Sequence, residues 1–109
     1  MAALEGERAA EVVIDASVDA AGTPIVSLSG ELDSSNAGSL EAAVASITAQ
    51  HPERLIFDLS GLRFMDSAGI AVLIRAAANV NAIHLRDPSP IVRRLIEVTG
   101  LSGVLPIET

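Results

Sequence analysis

Polar residues recur at every second position inside each strand-like segment of this chain, and that alternation limits the folds open to it. Ser27 and Ser29 alternate with Val26 and Leu28, Asp58 falls between Phe57 and Leu59, and His84 and Arg86 alternate with Ile83 and Leu85, while Asp15 breaks the first such segment. Successive side chains of a strand point to opposite faces, so a sheet of these strands has one apolar face and one largely polar face. Strands covered on both sides read as continuous apolar runs. A doubly wound sheet is therefore excluded, and helices are expected mainly on one face.

The order of elements follows from the same periodicities. Residues 12–18 and 25–28 are apolar, β-branched stretches separated by Asp19, Gly22 and Pro24, which predicts a hairpin. Ser34, Ser35 and Asn36 offer capping oxygens ahead of Leu40, Ala43, Val44 and Ile47, whose spacing predicts a helix ending near His51 and Pro52. Residues 55–59 form a third strand, closed by a turn at Ser60 and Gly61. Ile70, Leu73, Ile74, Ala77 and Ala78 then fall on one stripe of a second helix reaching about Val80. A short strand over 83–86 leads to a third helix, with Ser89 as cap, Pro90 in its first turn, Gly100 past its end and Leu101 beyond. Residues 104–107 can form a last strand. A strand, helix and strand in succession imply a parallel pair with a right-handed crossover. The predicted fold class is α/β: a mixed sheet of about five strands with three or more helices packed mainly on one face.

At 109 residues the chain suits one domain. Residues 1–10 read as a flexible N-terminal arm and 11–109 as the domain. The absence of cysteine removes disulfides and thiolate chemistry, and the composition points to a cytoplasmic protein. A formal charge of −7, with no lysine among the basic residues, argues against nucleic acid and against an anionic membrane surface. Enzyme constellations are also missing: there is no G-x-S-x-G elbow and no phosphate-binding loop with lysine. His51, beside a proline at a helix end, and His84, on a strand, have no neighbouring motif that would make them bases or ligands. No catalytic residue, metal site or cofactor is expected, and nucleotide binding at Asp33 and Asp66 is disfavoured by charge.

Residues 64–70, Phe-Met-Asp-Ser-Ala-Gly-Ile, place two short polar side chains where a strand gives way to a helix. The plain reading of Asp66 and Ser67 is a helix cap. The sharper one is that Ser67 is a hydroxyl offered to a kinase. Amides at a helix N-terminus tolerate an added phosphate, and that phosphate brings about −1.5 to −2 charges. An acidic group on a partner about 4 Å away would feel roughly 1–4 kcal/mol of repulsion per charge. About 1.4 kcal/mol is tenfold in affinity, so one phosphate can switch a complex off.

Three blocks in this order, Gly30-Glu31-Leu32-Asp33, residues 55–70, and Pro88-Ser89-Pro90 through Leu101, resemble the STAS domain of bacterial anti-sigma factor antagonists. The resemblance covers roughly residues 12–107. It implies a protein that, unphosphorylated, binds an anti-sigma factor with a histidine-kinase-like ATPase fold and frees a sigma factor. That partner is also the serine kinase, and a metal-dependent serine phosphatase reverses its action. Ser67 matches the phosphorylated serine, and Asp33 an aspartate that helps engage the partner. Asp66, Ala68 and Gly69 complete the motif. Val72 and Ala76, taken to lie opposite the apolar stripe of the second helix with Arg75 beside them, complete the expected partner-binding set. The same resemblance leaves room for an accessory subunit of a lipid-transport ABC system, or another STAS interaction module without phosphorylation, in which Ser67 is only a cap.

Overall fold

The computed structural model describes residues 11–108, and the arm expected over 1–10 lies outside them. Among the described residues eight elements follow in the order β1 (Val12–Val18), β2 (Pro24–Leu32), α1 (Ala37–Thr48), β3 (Arg54–Met65), α2 (Ser67–Ala77), β4 (Ala82–Arg86), α3 (Pro90–Val98) and β5 (Ile107–Glu108). The five strands form one sheet in sequential order; β1 is antiparallel to β2, and every other pair is parallel. The expected mixed sheet is present, with three helices packed on one face.

Alternation places the core. Val26, Leu28 and Leu32 of β2, Leu55, Phe57 and Leu59 of β3 and Leu85 of β4 are buried in one cluster with Leu40 of α1, Leu73 of α2 and Val92 and Ile96 of α3. The opposite face carries Asp15, Ser27, Asp58 and Arg86 at one register level. On that face Arg54 Nη2 lies 3.1 Å from His84 Nδ1. His84 is thus a half-buried structural neighbour, and His51 an exposed residue just past α1.

Residues 60 and 61 do not turn. β3 runs through them to Met65, because its buried positions change spacing: Leu55, Phe57 and Leu59 are followed by Leu62 and Met65, three apart instead of two. Each longer step takes in one extra residue. The register against β2 slips at the same places, between the Ser27–Asp58 and Ser29–Gly61 pairs and between Gly30–Leu62 and Glu31–Phe64. Two bulges thus carry β3 on beside β2, so that Leu32 pairs with Met65. Sequence reading took the first bulge for a turn because serine and glycine serve both.

The helix ends show which local signals succeed. Ser89 Oγ accepts a hydrogen bond from the Val92 amide at 3.3 Å, with Pro90 as the first helical residue of α3. At its other end Gly100 takes a φ of 75°, the Leu101 amide donates to Ile96 O and the Gly100 amide to Glu97 O, which is the Schellman closure. Asn36 behaves otherwise: it precedes α1 without a side-chain cap, and its Oδ1 instead accepts from the Asp33 amide at 3.0 Å. The second helix ends at Ala77, short of Val80, and the last strand is only Ile107–Glu108.

Candidate functional site

The parallel strands β2 and β3 end side by side, and each gives way to polar residues. Leu32 and Met65 are register partners, and the Asp66 amide donates to Leu32 O at 3.2 Å. Asp33 and Asp66, each one residue beyond, are therefore neighbours at the same end of the sheet.

Asp66 is the N-cap of α2. Its backbone is extended, and its Oδ1 accepts from the amides of Ala68 at 2.9 Å and Gly69 at 3.3 Å. Two amides that the first helical turn would otherwise leave unpaired are thereby satisfied, an arrangement worth about 1 kcal/mol. Ser67, the first helical residue, is exposed, and its hydroxyl makes no hydrogen bond to another described residue. The capping role that sequence divided between Asp66 and Ser67 falls to Asp66 alone.

Asp33 is held by its own loop. Its Oδ1 accepts from the Ser35 hydroxyl at 2.6 Å and the Ser35 amide at 2.8 Å. These two bonds favour the charged form and hold its carboxyl below the ordinary value of 3.8, the hydroxyl contributing most. Asp33 is therefore a fixed negative charge beside Asp66.

The rest of the expected set separates. Gly69 is buried, and a Cβ there would lie 2.7 Å from Leu32 Cδ2 and 2.7 Å from Met65 Cγ, so this glycine lets α2 approach the strand ends and offers no surface. Ala68 is half-buried against the core. Val72 and Ala76 correct the sequence reading: each is only 2% exposed. They line the crease between α2 and α1 with Val44 and Ala45. The helical projection considered burial against the sheet alone, whereas α2 also packs on α1. Its buried face is therefore turned toward Val72 and Ala76, leaving Ile74 and Ala77 half-covered. Arg75 is exposed and closes the same crease from outside, donating to Glu41 through Nε at 2.7 Å and Nη2 at 3.1 Å.

One residue at this end was missed. Phe64 is 45% exposed, facing away from Met65 beside the second bulge, and its neighbour Arg63 forms an ion pair with Glu31 of β2. The signal that could have found it is the three-residue step from Leu62 to Met65, which leaves Arg63 and Phe64 outside the core.

A family model described as "Mlab, STAS domain" matches residues 16–106. The chain belongs to the STAS-domain family of anti-sigma factor antagonists. An anti-sigma F factor antagonist from Paenibacillus polymyxa is 32% identical over 91 residues, covering 79% of this chain and 78% of that protein. The crystal structure of an anti-sigma factor antagonist from Mycobacterium paratuberculosis is 30% identical, with a TM-score of 0.82 over 89% of this chain and 85% of that one. SpoIIAA in its unphosphorylated form, at 24% identity, shares the fold with a TM-score of 0.76 over 89% of both chains. As a member of this STAS family the chain is a regulatory protein rather than an enzyme, and it acts in the cytoplasm by partner switching. Among the described residues no helix is long and apolar enough to cross a membrane, and no group of side chains could hold a metal ion.

Proposed function

We propose that the unphosphorylated chain binds an anti-sigma factor serine kinase with a histidine-kinase-like ATPase fold, frees a sigma factor, and is switched off by phosphorylation at Ser67. A metal-dependent serine phosphatase restores the binding form. The observation that carries this reading is the Ser67 hydroxyl, exposed at the first position of α2 and engaged by no other described residue while Asp66 alone caps the helix. A kinase can reach it, and modification leaves the cap in place.

The electrostatics give the direction of the switch. Asp33 and Asp66 already place two carboxylates at this end of the sheet. Both spend an oxygen on backbone amides, so neither can move aside. A phosphate on Ser67 adds about −1.5 to −2 charges to that pair and must be desolvated if a partner is to cover it. Asp33, Ser67 and the exposed guanidinium of Arg75 are the polar contacts of the docking surface; Val72, Ala76 and Gly69 support it from beneath.

The test is incubation with ATP and the kinase followed by intact mass, together with binding of three variants. One added phosphate on the wild type and none on Ser67→Ala is expected. Ser67→Ala binds constitutively, whereas Ser67→Asp and Ser67→Glu bind at least about tenfold more weakly. Equal binding by all of them would count directly against the switch. It would return the chain to the second reading, a transporter accessory subunit in which Ser67 carries no modification; the family model's description does not separate the two.

A further inference from the structure

We propose that Phe64 is the apolar anchor on which the kinase partner seats over Ser67, an inference that rests on the reading of Ser67 as the modified residue. Phe64 is a large aromatic side chain left 45% exposed at the end of β3, in a chain with only two phenylalanines and no tyrosine or tryptophan; the other, Phe57, is fully buried. A single exposed aromatic at an arbitrary place on a surface is ordinary. This one is placed by construction. The second bulge of β3 takes in Arg63 opposite the Gly30 to Glu31 step, and Phe64, paired with Glu31, then faces out beside Met65, which stays in the core with Leu62.

Distance puts Phe64 within reach of an interface that covers Ser67. Three residues of chain span at most about 11 Å. A standard protein interface covers about 800 Å² per partner, a disc of roughly 16 Å radius. A kinase that centres its active site on Ser67 can therefore reach Phe64 around the end of β3 with the same surface.

The charges around the ring define what fits it. Glu31, its register partner across β2, is paired with Arg63, so the nearest strand charges are mutually compensated. Asp33 and Asp66 direct an oxygen each into backbone amides. The complementary partner surface is accordingly an apolar recess for the ring, set beside the bound nucleotide that would face Ser67. Aromatic side chains in such recesses commonly dominate binding. An anchor of this kind also explains why a phosphate three residues away is so disruptive: closing the apolar contact would strip water from an unpaired dianion.

The experiment measures the affinity of the unphosphorylated full chain for its kinase in wild type, Phe64→Ala, Phe64→Leu, Ser67→Asp and Val98→Ala. Val98 is 66% exposed on α3 and serves as the control for loss of an apolar side chain elsewhere. Phe64→Ala is expected to weaken binding at least about tenfold, Phe64→Leu to recover most of it, and Val98→Ala to change nothing. Phosphorylation of Ser67 by the kinase should slow in Phe64→Ala at low chain concentration and recover near saturation. If Phe64→Ala binds like the wild type while Ser67→Asp does not, the anchor is wrong and the switch stands. If the wild type is neither bound nor phosphorylated, the reading of Ser67 has failed and the anchor falls with it.

Discussion

Two helical glycines should respond to the same substitution with opposite signs. Alanine is favoured over glycine in a helix by up to about 1 kcal/mol, through backbone entropy lost on folding. At Gly38, in the first turn of α1, a Cβ would meet nothing within 4 Å. Gly38→Ala should therefore gain roughly 0.5–1 kcal/mol of stability. At Gly69 the same Cβ would sit 2.7 Å from Leu32 Cδ2, 2.7 Å from Met65 Cγ and 3.0 Å from Leu32 Cγ. Comfortable carbon contacts are about 3.5–4.0 Å, so the neighbours would have to retreat by roughly 1 Å. They have little room, since Leu32 is 0% and Met65 2% exposed. Overpacking of this size costs about 1–3 kcal/mol, which outweighs the helical gain. The net expectation is a loss of roughly 1–2 kcal/mol for Gly69→Ala, and a gap of about 2 kcal/mol between the two variants. Urea denaturation at equilibrium measures both, read as a midpoint shift at constant slope. A Gly69→Ala chain as stable as Gly38→Ala would show that α2 does not need its close approach to the strand ends, and the account of how Ser67 is positioned would fail.

Two more outcomes can be checked at the site. Val72→Ala should lower stability by about 1–3 kcal/mol, since its side chain fills the crease between α1 and α2; the same urea titration checks this, and a change within about 0.5 kcal/mol would mean that the side chain is not packed there. Ser35→Ala should raise the pKa of Asp33 toward its ordinary value, because the hydroxyl is the strongest influence holding it down. In the wild type the stabilisation from these bonds is fully present above the ordinary carboxylate range and is lost as pH falls through the lowered value. In Ser35→Ala that loss is smaller and is complete at a higher pH, and a carboxyl-detected NMR titration of the two chains that superimposed would refute the assignment.

What could be read from the chain depended on how many contacts each signal needed. The cap at Ser89, the proline after it and the glycine closure at Gly100 are local, and the structure reproduces them residue for residue. The one-sided sheet also follows from period-two alternation, which needs only the strand itself. Failures began where a second neighbour mattered. Val72 and Ala76 were misplaced because α2 touches both the sheet and α1, and a helical projection carries no knowledge of the second helix. Asn36 was taken for a cap, yet its oxygen serves Asp33 in the preceding loop. Ser67 and Asp33 were singled out through a motif and a resemblance. Phe64 was not, because no motif marks it, although alternation counted from Leu55 already turns position 64 away from the core.

The two irregularities of β3 also free its length from its facing. At each of them one residue of β3 is taken up without a partner on β2. The pairs on either side keep matching faces, so Met65 meets Leu32 on the core side just as Phe57 meets Val26. Removing one such residue would straighten the strand locally and leave Met65, and the serine two places beyond it, oriented as before. Each irregularity can therefore be gained or lost by itself, one residue at a time, without turning the start of α2 to the other side of the sheet.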